Sequence, residues 1–230
     1  DLAPEPFAVL SSHVGSLGGL LALKRRECHI APTHLLDDDG LGYNVQSVKR
    51  FFKDETMVLV KGIVRHQGLY LRKETCADLV VQGLLSPEDA QGFSFRCTGG
   101  LEVLLKGRSM VNRQKGSGTR LLLDAILVKE HINSEDIVGY SLEMLTHTAV
   151  ALAVQNGTAD FGMGIAAAAH RMHLCFVPIA KEDYDFLARP DLFGTEIGSC
   201  FLSLLRSHDF REAVSQLKGY DLEDIHLLEV

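Results

Sequence analysis

The sequence predicts an α/β fold, on three observations. Short β-branched or apolar runs alternate with stretches whose apolar residues recur at helical spacing. Polar loops containing glycine stand between them, and 46% of the 230 residues are hydrophobic against 23% charged. Alternation of this kind implies mixed, mainly parallel sheets flanked by helices. The length suits one large α/β domain or two lobes of about 100 residues each. No apolar run reaches the ~20 residues needed to cross a bilayer.

Taken in order, Phe7 to Leu10 (FAVL) is a short apolar run, and a helix follows from about Gly15 to Arg26 with Leu17, Leu20, Leu21 and Leu23 on its buried side. His29 to Leu36 reads as a strand and Asp37-Asp38-Asp39-Gly40 as the turn after it. Tyr43 to Phe52 is expected to form a short helix. Met57 to Val64 is extended, interrupted by Lys61 and Gly62, and Leu69 to Leu71 continues it. Residues 75–106 show no clear period and read as an insertion or loosely ordered loops. Arg108 to Val111 is a strand, and the helix after it spans about Ser117 to Glu130. Thr146 to Gln155 is a helix stopped by Asn156-Gly157. A strand at 160–163, an alanine-rich helix at 166–172, a strand at 175–179 and an amphipathic helical tail at 194–217 complete the pattern.

The formal net charge of −7 is the wrong sign for a protein whose main task is to hold a polyphosphate backbone. A small anion is not excluded, because a few local donors overcome a mildly acidic surface. The five cysteines, Cys28, Cys76, Cys97, Cys175 and Cys200, are scattered without CxxC spacing, so no disulfide framework is inferred.

The segment Asn112 to Thr119, NRQKGSGT, carries the most chemistry. A strand ends before it, Gly116 and Gly118 allow a tight turn, and Ser117 or Thr119 opens a helix. Free N–H groups and the positive end of the dipole make such a start an anion site. Arg113, Lys115 and Arg120 add positive charge, whereas an isolated GSGT is about as often a plain N-cap. Ser11 to Ser16 repeats the strand–loop–helix logic with Ser12 and Ser16, and Thr146-His147 opens a third helix.

Other patterns are weaker. Asp37-Asp38-Asp39-Gly40 lacks the alternate acidic positions and closing Glu of a calcium loop. His170-x-x-His173-x-Cys175 puts three metal-ligand types close together without a fourth. Ser117 sits in GSG rather than GxSxG, and KGSGT lacks the order of a nucleotide P-loop, so an enzyme is not expected.

Several segments in order resemble one family: HVGSLGGLLAL from His13, HLLD from His34, YNV from Tyr43, RHQGLYL from Arg65, NRQKGSGTRLLLD, THTAVALAVQNGTADFGMGI from Thr146 and FVPIAKEDYDFL from Phe176. They are similar to the periplasmic-binding-protein-like (type 2) domain associated with molybdopterin-biosynthesis proteins and helix-turn-helix regulators. More distantly, they resemble tungstate and molybdate receptors of ABC transporters. The GSGTR and GxADxGxGI elements are the most specific, the latter supplied by Gly157, Ala159, Asp160, Gly162, Gly164 and Ile165.

The resemblance implies two α/β lobes with a ligand cleft between them: residues 1–66 plus 178–230 as lobe 1, and 67–177 as lobe 2. The Phe176 to Phe186 segment would return as a hinge, with Tyr184 near the cleft. The chain starts about where the family's second strand is expected, so lobe 1 should lack a first strand and helix. The function implied is non-catalytic binding of a small tetrahedral oxyanion, molybdate or tungstate, for transport or sensing. The expected ligand residues are Ser12, Ser16, Asn112, Arg113, Ser117, Gly118, Thr119, Thr146, His147 and Tyr184, with no cofactor beyond the bound oxyanion. Expected partners are that anion and an ABC-transporter membrane component or a fused regulatory module, with neither nucleic-acid contact nor membrane insertion. A transport receptor would be periplasmic or extracellular, a sensor cytoplasmic. Two rivals remain: a larger anionic ligand of molybdopterin type, and a transition-metal cation held by His13, His34, His147 or the His170, His173, Cys175 group.

Overall fold

The structure, a computed structural model, describes residues 8–37, 40 and 42–230. Its elements in chain order begin with α1 (Gly15–Lys24), β1 (Ile30–Thr33), α2 (Val45–Phe51), β2 (Val58–Leu71) and α3 (Lys73–Val81). A short hairpin follows, β3 (Leu85–Pro87) and β4 (Phe95–Cys97), then α4 (Leu101–Leu105), β5 (Met110–Arg113), α5 (Gly118–Lys129), β6 (Glu143–Met144) and α6 (His147–Gln155). The chain ends with β7 (Phe161–Ile165), α7 (Ala166–Arg171), β8 (Cys175–Asp183), β9 (Asp185–Ala188), α8 (Glu196–Arg206), α9 (His208–Ser215) and β10 (Tyr220–Glu229).

One mixed sheet runs β1-β9-β2-β7-β5-β6, with β10 and β8 also paired to β2. Among the described strands, parallel pairing is confined to β5 beside β7 and β6; an isolated parallel bridge joins Ser94 to Phe176. The expectation of mainly parallel strands is corrected here: β2 pairs antiparallel with β7, β8, β9 and β10, as does β1 with β9. Strands β2 and β8 run out and back along each other from Val64↔Asp183 to Leu71↔Cys175, a long-range pairing that strand–helix alternation does not encode.

Strand β2 is the backbone of the molecule. The interruption expected at Lys61-Gly62 does not break it, and Gly62 adopts φ +126 where Ile225 and the Asp224 carbonyl of β10 come close. Its first part holds β9 and β10, and its second part β7 and β8. Four cores form around it. Leu59 joins Leu20, Leu23, Val48 and Leu187. Val60 and Ile63 meet Leu205 and Ile225. Leu69 and Leu71 meet Leu79, Leu105, Leu123 and Val177, and Tyr70 packs with Val111, Val150, Val154 and Phe176. Strand β8 carries a bulge opposite Gln67 and Gly68, with Pro178 beside it, a position where the missing proline N–H costs little.

Three local expectations are corrected. Residues 8–10 of FAVL form no strand, and Val9 and Leu10 are exposed, since nothing apolar lies against them; Phe7 falls outside the described residues. Asp38 and Asp39 of the acidic turn likewise lie outside them. Residues 75–106 are ordered as α3, the hairpin and α4, with Cys76, Leu79, Leu85, Phe95, Leu101, Leu104 and Leu105 buried in one core. The amphipathic tail is two helices, because Ser207 is extended (φ −67, ψ 155) and its hydroxyl accepts from Phe210 N–H to cap α9. The cysteines of the described residues are all free.

A Cβ on Gly68 would stand 2.2 Å from the Val177 carbonyl oxygen and 2.6 Å from Phe176 Cζ, where β2 meets β8. Gly68→Ala should destabilise the fold by about 1–3 kcal/mol or more, read as a lowered midpoint in chemical denaturation.

Candidate functional site

Strand period places the first buried charge. Along β2, Arg65 and Gln67 point inward two residues apart, while His66 between them reaches Asp221 on the outer side. Arg65 faces Glu182 of β8 directly in the antiparallel register. Its Nε donates to Glu182 Oε1 at 2.8 Å, and Nη2 makes a second bond to the same oxygen. Gln67 Nε2 donates to Oε1 at 2.9 Å, and His34 Nδ1 lies 2.9 Å from Oε2. An ionised carboxylate only accepts, so His34 carries its proton on Nδ1. The Arg65 guanidinium also stacks 3.9 Å from the Tyr184 ring centroid.

Burial alone would push the Glu182 pKa up. The charge of Arg65 and the bonds from His34 and Gln67 outweigh it and hold the group down to about 2. Burial lowers His34, leaving it neutral beside the carboxylate. The pair is therefore an ionised Arg65–Glu182 couple with a neutral imidazole donor.

The GSGT loop abuts this cluster. Ser117 is the N-cap of α5, and its hydroxyl accepts from Arg120 N–H at 3.3 Å. Gly118 lies so close to His34 that a Cβ there would stand 2.3 Å from Nδ1. Thr119 Oγ1 accepts from Gln67 Nε2 at 2.9 Å. The α1 start meets the same loop: Leu17 N–H donates to the Gly116 carbonyl at 3.4 Å, and Ser16 Oγ accepts from His34 N–H. The two helix starts expected to face each other thus touch without a gap. Arg120 adds no free charge, being paired with Asp124 and Glu143.

Arg113 stands differently. It emerges from the end of β5, buried, and Nη2 donates to the Leu145 carbonyl at 2.9 Å. Nε bonds the Met144 carbonyl at 3.3 Å and Gln114 Oε1 at 3.2 Å. Among the described residues no carboxylate reaches it, and burial, with the charge of Arg65, lowers its pKa. Those carbonyls lead directly into α6, where Thr146 caps Ala149 N–H and the first amides have no intrahelical acceptor. His147 opens that helix. Its Nδ1 is buried without a hydrogen-bond partner among the described residues, as is Gln67 Oε1. Burial first, then the charges of Arg113 and Arg65, hold His147 well below the usual histidine range. Gly164 makes the crowding possible: a Cβ there would lie 2.2 Å from Tyr70 Oη and 2.7 Å from His147 Nδ1.

The remaining expected residues are dispersed. Ser12 and His13 are exposed. Asn112 is structural, accepting from Arg113 N–H and donating to the Tyr140 carbonyl. His170 packs edge-on against Phe93, His173 adopts a left-handed φ of 54, and Cys175 is buried in the core with Cys76. Among the described residues no three His, Cys, Asp or Glu side chains gather as a metal site. A cavity of about 800 Å³ lies elsewhere, between α5 and β8, lined by Leu36, Tyr43, Leu122, Ile126, Lys129 and Lys181 among others. Sequence reasoning missed Arg65, Gln67, Tyr70 and Glu182. The available signal was two polar residues at period two inside a 14-residue apolar strand.

The uncharacterized protein YvgK of Bacillus subtilis (strain 168) is 31% identical over 212 residues, covering 92% of this chain and 62% of that protein, so the chain spans less than two thirds of its relative. A putative phosphate ABC-transporter substrate-binding protein from Clostridium perfringens, solved with bound phosphate, superposes with a TM-score of 0.59 at 14% identity, over 92% of this chain and 86% of that one. The tungstate ABC transporter structure from Geobacter sulfurreducens gives 0.56 at 11% identity, over 88% and 82%. These likenesses show the two-lobed periplasmic-binding-protein fold. A family model described as a PBP superfamily domain matches residues 2–206, and the chain belongs to that family.

Proposed function

We propose that this chain is a non-catalytic receptor or sensor domain that binds a small oxyanion between Arg113 and the start of α6. The observation that supports it is the Arg113 guanidinium, buried among backbone carbonyls with no carboxylate partner among the described residues. An uncompensated buried cation is costly, and a site that supplies one beside helix amides is suited to an external anion. Thr146 and His147 border the seat, and Tyr184, which stacks on Arg65, is assigned to its rim by the family resemblance. Ser117 and Thr119 are read as structural, since their hydroxyls serve Arg120 N–H and Gln67. Molybdate and tungstate are the favoured anions by family resemblance, and a tungstate receptor and a phosphate receptor share the fold. The proposed hinge lies at Arg65–Gln67 and in the Phe176–Phe186 segment, with residues 1–66 and 178–230 on one side and 67–177 on the other; the course of β2 from one group of cores to another supports it. Delivery to an ABC-transporter membrane component, or signalling to a fused module, would read out the closure; no described helix is long and apolar enough to cross a membrane.

A second reading, a larger organic ligand with an anionic group near Lys129, is supported by the volume of about 800 Å³ of the cavity between α5 and β8, whose wall also holds Glu130 and a Lys181 paired with Asp221. Native mass spectrometry of the purified protein separates the two. An organic adduct lost on mutating Lys129 supports the cavity.

Calorimetry with molybdate, tungstate, sulfate and phosphate tests the oxyanion reading; failure of all four to bind below the millimolar range would sink it. Arg113→Gln should weaken the tightest of them by about 2–5 kcal/mol. Ser117→Ala should cost about 1 kcal/mol of stability through the lost cap and leave affinity unchanged.

Glu182 is read as an ion-pair partner rather than a general base, because both of its oxygens are engaged. Its folded pKa of about 2 lies below the usual 4.5, so the stability it contributes is complete above about pH 4.5 and lost as pH falls toward 2. That loss should amount to roughly 3 kcal/mol. Urea titrations from pH 6 to pH 2.5 should show the decline, flattened in Glu182→Gln, which is already destabilised at neutral pH.

A further inference from the structure

We infer that the site takes its oxyanion as a dianion and gains one proton on the His147 imidazole as it does so. The inference rests on the oxyanion reading above and on the charges of the buried layer. Arg65 and Glu182 are cross-strand partners and cancel each other. His34 is committed to Glu182 through Nδ1. Among the described residues Arg113 is then the one cation of this cluster without a carboxylate, and it can neutralise one negative charge. A dianion leaves a second charge buried, which is costly unless something nearby becomes positive.

The groups that face His147 come from four elements: Arg113 on β5, Arg65 and Tyr70 on β2, Glu182 on β8 and His34 after β1. Arg113 and Arg65 are already charged, and Glu182 is held ionised by its partners. Tyr70 Oη donates to the Ile165 carbonyl at 2.8 Å and is fixed there. His147 alone is both titratable near neutrality and incompletely bonded, with Nδ1 buried and unpartnered. In the unliganded protein a proton there would put a second cation beside Arg113 with no acceptor, so the imidazole is neutral. With an anion seated against Arg113 and the α6 start, the same proton finds an acceptor and completes neutrality. A unit negative charge about 4 Å away raises an imidazole pKa by about three pH units at an effective dielectric near 20, which opposes the lowering by burial and by the charges of Arg113 and Arg65. The balance is simple: one proton from solvent moves to the imidazole, the oxyanion keeps its charge, and no bond in either breaks.

The consequence is an affinity that strengthens on acidification, by about tenfold per pH unit between the free and bound pKa values. Calorimetry with sulfate and molybdate, whose own protonation does not change between pH 6 and 8, tests this in two buffers of different ionisation enthalpy. The expected result is uptake approaching one proton per anion bound at pH 7, a steep pH dependence of Kd, and loss of both in His147→Gln while the weakened binding persists. Anion binding with no proton uptake, or uptake unchanged in His147→Gln, overturns the inference and leaves the oxyanion reading standing. Absence of binding to the unmodified chain at every pH refutes that reading, and the inference with it.

Discussion

The interior of this molecule is organised around one ion pair, Arg65 with Glu182. A buried carboxylate and guanidinium recover their lost hydration only if their remaining hydrogen-bonding positions are filled. Each position is filled by a different part of the chain. Gln67 and His34 complete the carboxylate, Tyr184 covers the guanidinium face, Thr119 accepts from Gln67, and Ser16 accepts from the His34 amide. Through those few contacts α1, the end of β1, α5, β2 and β8 are fixed against one another. The polar layer is thus a positional specification for elements whose apolar packing alone would tolerate sliding.

Two arginines in one layer have opposite roles because of what the strands beside them supply. Arg65 faces a glutamate in register and is saturated. Arg113, at the end of a strand whose neighbours are the short β6 and β7, meets only carbonyl oxygens. Carbonyls orient a guanidinium without neutralising it. The difference makes the first a closed ion pair and leaves the charge of the second without a carboxylate among the described residues.

Much of this was legible in the sequence, and what was not has physical causes. Helices with a clear apolar stripe and a capping residue, such as α5 behind Ser117 and α6 behind Thr146, lie within a residue or two of where periodicity puts them. The ordered resemblance anticipated the family. The antiparallel course of β2 was hidden because strand–helix alternation says nothing about two long strands pairing across the molecule. The last strand was invisible, since most of YDLEDIHLLE is exposed and lacks the burial that writes a two-residue period. At the site, the GSGT loop was the brighter signal, and its two hydroxyls accept from Arg120 N–H and from Gln67. Arg65 and Glu182 lie 117 residues apart, and no spacing rule joins residues that only a sheet register brings together.

One feature of β2 bears on how the molecule comes apart. Its 14 residues supply hydrogen-bond partners to four other strands and side chains to all four cores. Neither half of the protein can therefore be excised as a unit, since cutting anywhere along this strand strips an edge and a wall from both remainders. Amide exchange along Val58–Leu71 should then track global unfolding rather than local opening, and the two halves should melt together in one transition.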